Sequence, residues 1–297
     1  MPVKLLGVPY DAHSSFLRGP ALAPAAVRAA LTNGSANWCT ESGLDLDPAT
    51  NERWVDLGDL ELPDEAAEAV AAIRTAAGAA IDDGSPLLSI GGDHMVTWPL
   101  VQAATDHVDD LTIVHFDAHP DLYDSLDGDR FSHACPFARI MEDGRVARLV
   151  QLGIRTMNPH QRAQADRFGV EVHELRDWDG TVPPISGPVY VTIDLDALDP
   201  AFAPGVSHHE PGGLSTRLLL DALRQIGASD AVLVGADVVE LNPTRDLNDV
   251  TAMVAAKLVR ELLGMLVESA TRSVPAAGAS GCSSERVVGS ERSTPPR

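Results

Sequence analysis

Asp117, His119 and Asp121 stand at alternate positions just past the apolar, β-branched run from Thr112 to Phe116. Alternate residues of an extended chain point the same way, so two carboxylates and an imidazole can converge on one point as a strand ends. Such a set suits a metal ion, although alone it reads equally well as a solvated acidic turn. Two further stretches weigh against the turn. His94 follows Gly91, Gly92 and Asp93 after the apolar run Pro86 to Ile90, and Asp194 and Asp196 close the run that starts at Val189. Carboxylates at the ends of buried strands hold uncompensated charge unless a cation or hydrogen bonds offset it.

The number of donors separates one ion from two. His94, Asp117, His119, Asp121, Asp194 and Asp196 supply two imidazoles, four carboxylates and no thiolate. One tetrahedral zinc needs about four donors at most. Six, with carboxylates able to bridge, suit a pair of hard divalent ions, and mixed imidazole and carboxylate ligation suits manganese, with nickel or cobalt as other occupants of the same set. Two such ions about 3.5 to 4 Å apart activate water at neutral pH.

Gly-Gly-Asp-His at 91 to 94, Asp-Ala-His-Pro-Asp at 117 to 121 and Asp-Leu-Asp-Ala-Leu-Asp-Pro at 194 to 200 resemble the signature blocks of the ureohydrolases, the arginase and agmatinase family. Three separate blocks in order make the likeness specific, and it runs from about Val3 to about Glu268. Ser132 to Glu142, Phe202 to His208 and Gly235 to Pro243 are most similar to the plant-type, agmatinase-like arginases. The resemblance implies a three-layer αβα arginase-like fold with a mainly parallel sheet of about eight strands. It implies a manganese-dependent amidinohydrolase holding two Mn2+ and assembling as a homotrimer or homohexamer, with a place in arginine or polyamine metabolism. It also implies roles. Asp117 and Asp194 bridge the ions, His94 and Asp121 complete one shell, and His119 and Asp196 the other. Asp121 counts with the catalytic residues too. His133 matches the proton-shuttling histidine, and Glu240 matches the glutamate that binds the guanidinium.

A guanidinium carbon is resonance-stabilised, so its hydrolysis needs an activated nucleophile, stabilisation of a tetrahedral species and a proton for the departing amine. The substrate that the resemblance implies is a small cationic guanidino compound. An arginase, taking L-arginine to L-ornithine and urea, is the first reading; an agmatinase, taking agmatine to putrescine and urea, or another guanidino-acid hydrolase is the second. Animal-type arginases hold the amino-acid head with an Asn- and Ser-rich loop, whereas Tyr123 to Phe131 here is acidic. Arg130 is the candidate for the α-carboxylate, while Asp124, Asp127 and Asp129 would equally meet the free amine of agmatine. A single-zinc deacylase of related fold, with fewer ligands and a tyrosine, and an inactive binding paralogue are the remoter readings.

Other polar residues read as support. Asp93 and Asp199 would hydrogen-bond the ligand loops or a ligating imidazole. His208 and His209 suggest a substrate loop or nothing, His13 lies on a polar loop after the first strand, and Cys135 reads as packing.

The elements that must position these groups alternate. Apolar runs predict strands at 3–8, near 54–57, 87–90, 111–116, 149–153, 171–175, 189–193 and 231–234. Periodicity predicts helices at 24–31, 64–82 with Asp64 as cap, 97–105, 137–142, 216–226, and a last one from Asn248 or Thr251 to Glu268. Residues 87–116 read as one β-α-β unit, and the alternation implies a parallel sheet covered on both faces. Residues 1–268 form the catalytic domain; 269–297, rich in Ser, Gly, Pro and Arg, read as a disordered tail.

Composition narrows the partners. With 297 residues and 44% hydrophobic content the chain suits one large α/β domain, and 22 basic against 43 acidic residues give a net charge of −21. That field repels nucleic acid and anionic membranes and favours cationic ligands. Cys39, Cys135 and Cys282 lie far apart with no zinc-finger or redox spacing, and Met1 to Pro9 lacks the apolar core of a signal peptide. These observations predict a cytoplasmic protein.

Overall fold

The computed structural model describes residues 1–271. Eight strands build one sheet: β1 (Val3–Val8), β2 (Trp54–Asp59), β3 (Leu87–Gly91), β4 (Leu111–Phe116), β5 (Val146–Ile154), β6 (Glu171–Glu174), β7 (Ser186–Asp194) and β8 (Asp230–Val239). Their order is β2-β1-β3-β8-β7-β4-β5-β6, and every pairing is parallel. The four central strands β3, β8, β7 and β4 are buried without interruption toward their carboxyl ends, as strands covered on both faces are.

Helices cover the two faces. α1 (Ala23–Thr32), α6 (Thr216–Ala228) and α7 (Val250–Ser269) pack their apolar sides with Val189, Val191 and Ile193 of β7 and Val114 and Phe116 of β4. α2 (Ala66–Ile81), α3 (Thr97–Thr105), α4 (Pro136–Asp143) and α5 (Pro159–Phe168) close the other face over Leu87, Leu111, Ile113, Leu149 and Tyr190. The three-layer α/β reading of the sequence is the architecture seen.

Some boundaries and neighbours differ. β5, β7 and β8 extend beyond their apolar runs, so Asp237 lies inside β8. Glu65, not Asp64, caps α2 by accepting from the Glu68 N–H. α5 is not among the expected helices, because its polar composition hides a stripe. Its signals are Asn158 and Gln161, forming a capping box around Pro159, and Gly169, closing the helix in the left-handed conformation. β3 and β4 are not neighbours either: β8 and β7 lie between them. The expected tail at 269–297 falls, from residue 272, outside the described residues.

Candidate active site

Every expected ligand sits at or just past the carboxyl end of a central strand. That end of a parallel sheet, where successive connections leave in different directions, is where the crevice of an open α/β fold forms. After β3 the chain turns through Gly91 and Gly92 into a single 3-10 turn, His94–Val96. Gly92 is required there: a Cβ would lie 1.8 Å from the Tyr10 carbonyl oxygen, which instead accepts from the Asp93 N–H at 2.8 Å. Asp93 caps the turn, accepting from the Met95 N–H at 3.2 Å and the Ser14 hydroxyl at 2.9 Å.

Strand alternation does not gather Asp117, His119 and Asp121, because β4 stops at Phe116. A bend does. Asp117 Oδ1 accepts from the His119 N–H at 2.6 Å, and Asp121 adopts a left-handed φ of 48° that returns its carboxylate to the cluster. Asp194, the last residue of β7, similarly caps the 3-10 turn Leu195–Ala197 by accepting from the Asp196 N–H at 2.7 Å.

The six side chains come together in two groups, His94 with Asp117, Asp121 and Asp194, and Asp117 with His119 and Asp196. His94 Nδ1 lies 3.2, 3.1 and 3.3 Å from Oδ2 of Asp117, Asp121 and Asp194. His119 Nδ1 lies 3.4 Å from Asp117 Oδ1 and 3.1 Å from Asp196 Oδ2. Asp117 therefore belongs to both groups, one oxygen to each. Asp194 joins the first through Oδ2, its Oδ1 being held by the Asp196 N–H.

This donor set fits divalent cations. His94 Nδ1 is buried and without a hydrogen-bond partner, yet three carboxylate oxygens face it. Lacking a cation, such a cluster holds protons. Burial opposes charge on both histidines, but the carboxylates outweigh it, taking His94 well above its usual value and His119 up to about 12. Burial and then the neighbouring carboxylates push Asp194 well up and take Asp196 to about 6, though His119 pulls Asp196 back. A cation replaces those protons and satisfies the same atoms.

His133 and Glu240 lie beside the cluster. Glu240 follows β8 with a left-handed φ of 66°, its N–H donating to the Gly92 carbonyl at 2.8 Å, which ties it to the His94 turn. Glu240 Oε1 accepts from the His94 N–H at 3.1 Å and pairs with His133 Nδ1 at 2.8 Å. Burial disfavours the charge on each, but mutual attraction wins: His133 rises to about 9 and Glu240 falls below its usual value. His133 Nε2 meets the exposed Ser15 hydroxyl at 2.9 Å. His208 stands over this pair, its ring 4.9 Å from that of His133, and burial with the charge of His133 lowers its pKa.

A cavity of about 200 Å³ opens onto His119, Asp121, Asp194, Asp196, His133 and Glu240, with Ser15, Tyr123, Thr156, Asn158, Gln161 and His208 on its walls. Arg130 is not brought in. Half exposed, it pairs with Asp124 at 2.8 Å and Glu142 at 2.9 Å, because the acidic loop that carries it supplies its own counter-charges. Among the described residues no Lys or Arg lines the cavity.

The remaining candidates hold loops or pack. Asp199 accepts from the N–H groups of Ala201, Gly212 and Gly213, pinning the loop that carries His208. His13 pairs with Asp129 at 2.5 Å, and His209 bonds the Pro204 carbonyl. Cys135 is buried, and burial pushes its thiol up to about 12, so it packs rather than reacts. Sequence reading misses His115, whose Nε2 lies 2.8 Å from Asp117 Oδ2. Its position two residues before Asp117 is the one signal it offers.

Residues 1–264 match the family described as the Arginase family. Arginase 1, mitochondrial, of Arabidopsis thaliana is 46% identical over 87% of this chain and 79% of its own length. The agmatinase of Bacillus anthracis is 34% identical over 88% of this chain and 90% of its own. Among solved structures, the arginase from Medicago truncatula superposes with a TM-score of 0.81 at 41% identity, covering 89% of this chain and 87% of that one. These relatives correct one expectation. The arginases of Arabidopsis thaliana and Medicago truncatula are named mitochondrial or chloroplastic/mitochondrial, which overturns the cytoplasmic reading. Compartment is set by an address that the catalytic fold does not need, so composition and cysteine spacing do not reveal it. Among the described residues no helix is long and apolar enough to cross a membrane.

Proposed function

The chain belongs to the arginase family, and from that premise we propose that it hydrolyses L-arginine to L-ornithine and urea with two manganese ions. The observation that carries the reading is the pair of donor groups sharing Asp117, set against the His133–Glu240 pair at one cavity. Manganese is favoured by the donor set, two imidazoles and four carboxylates with no thiolate. His94, Asp117, Asp121 and Asp194 would hold one ion, and Asp117, His119 and Asp196 the other, with Asp194 as the expected second bridge. When bound, such ions supply an activated water at neutral pH.

The chain's own residues do the rest. The His94 N–H and the His133 ring both bond Glu240 at Oε1, leaving Oε2 for the N–H groups of a planar guanidinium, a charge-assisted contact that orients the cation in the cavity. As the tetrahedral species collapses, the carbon–nitrogen bond to the side-chain nitrogen breaks, and His133 supplies the proton that lets it leave as an amine. Glu240 keeps that proton on His133 at neutral pH. Water re-protonates His133 from the Ser15 side, where its Nε2 lies.

The head group is the open end. Neutral donors on Ser15, Tyr123, Asn158 and Gln161 line the cavity, and they suit an amino-acid head without an ion pair. The missing cationic side chain also favours agmatine as the second reading. At about 200 Å³, below the roughly 300 Å³ at which drug-sized pockets begin, the cavity admits one small molecule. Residues 1–268 are proposed as the catalytic domain, working as a homotrimer or homohexamer. A urea-release assay with manganese across arginine, agmatine, guanidinobutyrate and guanidine tests the proposal. Arginine as best substrate is expected; agmatine as best would transfer the reading to agmatinase, and no urea from any would sink it.

A further inference from the structure

A row of buried polar side chains crosses the sheet beneath the ligands. Strand pairing sets Ser89, Asp237, Thr192, His115 and Gln151 side by side on β3, β8, β7, β4 and β5. All five are fully buried. Paired residues of neighbouring strands share a face, and here it is the face covered by α2 to α5. Polar groups in a sheet interior are costly unless they are hydrogen-bonded. Ser89 Oγ has no hydrogen-bond partner, and where the bonds of the other four lead shows what those four are for.

The hydrogens can be placed by elimination. One end of the Gln151 amide lies 2.7 Å from the Pro120 carbonyl oxygen; a carbonyl cannot donate, so that end is Nε2. The same Nε2 is 3.0 Å from His115 Nδ1, which must accept. The hydrogen of His115 is then on Nε2, where it donates to Asp117 Oδ2 at 2.8 Å. The Phe137 ring stacked 4.0 Å from the imidazole fixes its plane. On the other side of the row, the Asp237 carboxylate accepts from the hydroxyls of Tyr190 at 2.8 Å, Thr97 at 3.0 Å and Thr192 at 2.6 Å. With its hydrogen committed to Asp237, Thr192 Oγ1 accepts from His94 Nε2 at 3.1 Å. Nδ1 is then the His94 nitrogen left for a cation, and it is the one that faces Asp117, Asp121 and Asp194.

We propose that His115 and Thr192 are positioning residues for the metal ligands: His115, locked by Gln151, aims the shared carboxylate of Asp117, and Thr192, locked by Asp237, selects the ligating nitrogen of His94. The inference rests on the metal reading of the site. His115 also lies close enough to His94 and Asp117 to be taken for a ligand. Its two nitrogens are both engaged, one by Gln151 and one by Asp117, and that makes it a support instead.

The test uses the full chain stripped with chelator and titrated with Mn2+ alone, with affinity read by calorimetry and stoichiometry by elemental analysis. His115→Phe and Thr192→Val are each expected to weaken manganese binding about 10- to 100-fold, as loss of such supports does, while keeping two ions at saturation. His115→Gln, which restores a donor near the Nε2 position, is expected to recover part of the loss. At saturating manganese the KM for arginine should be unchanged. Unaltered affinity in both variants, with melting of the metal-free protein unchanged, would overturn the proposal; so would a fall to one ion in His115→Phe, which would make His115 a ligand. If His115→Phe does not fold, Gln151→Leu leaves the imidazole in place and frees only its Nδ1, and weaker manganese binding is expected there too. Wild-type protein that takes up no manganese would defeat the metal reading itself, a result seen before any substitution is made.

Discussion

His133 and Glu240 hold each other's charge inside the protein, and each is shaped by that pairing. Removing one partner of a buried pair leaves the other charge uncompensated, so the pair works as a unit. Glu240 accepts a left-handed backbone conformation that non-glycine residues adopt at a cost of about 1 to 3 kcal/mol, and such strain persists where surrounding structure over-determines it. The Gly92 carbonyl and the His94 N–H do that here. With His133 raised to about 9, the imidazolium is present at neutral pH and is lost as pH rises through that value. As a proton donor it should therefore impose a fall in kcat on the alkaline side, with a midpoint near pH 9. His133→Asn is expected to lower kcat by about 10²- to 10⁴-fold and to abolish that fall, read from pH–rate profiles with arginine. A variant that keeps the alkaline fall would assign it to another group.

At the scale of elements, four neighbouring strands far apart in sequence each end at the same place, and each gives way there to a bend, not to more strand. The donors converge because of those bends: the 3-10 turn of His94, the left-handed Asp121 and the turn capped by Asp194. The turn at Gly92 is the least forgiving, since any side chain there meets the Tyr10 backbone. Gly92→Ala is expected to destabilise the fold by about 3 kcal/mol, the upper end for overpacking, and to weaken manganese binding as the His94 turn shifts. Urea denaturation together with metal titration checks both, and a variant with normal stability would show that the turn can move. Strand and helix types are legible in the sequence here, because apolar runs and helical spacing express burial directly. α5 is not, because its stability comes from its caps and a short buried edge at Gln161, Gln164 and Ala165.

At the scale of the whole molecule, a net charge of −21 surrounds the proposed cation site, a field that favours entry of both a metal ion and a cationic substrate. Metal bound only by the folded protein stabilises it by about 2.7 kcal/mol when the free ion is at a hundred times its dissociation constant. Chelation is therefore expected to lower the melting temperature, and added manganese to restore it. His94 and His119 are raised, so they must give up protons to ligate, and lower pH favours the proton over the ion. The gap between metal-loaded and metal-free melting temperatures should be larger at pH 8 than at pH 6; an equal gap would show that those imidazoles do not ligate. The sequence alone determined the candidate ligand types, the strand ends that carry them and the alternating elements, since residue chemistry and local spacing are written residue by residue. Only the tertiary structure decided that β8 and β7 lie between β3 and β4, that Arg130 turns away to Asp124 and Glu142, and that His115 and Thr192 stand beneath the site. Lateral neighbours in a parallel sheet are chosen by the packing of both faces at once, and no local stretch of sequence contains that information.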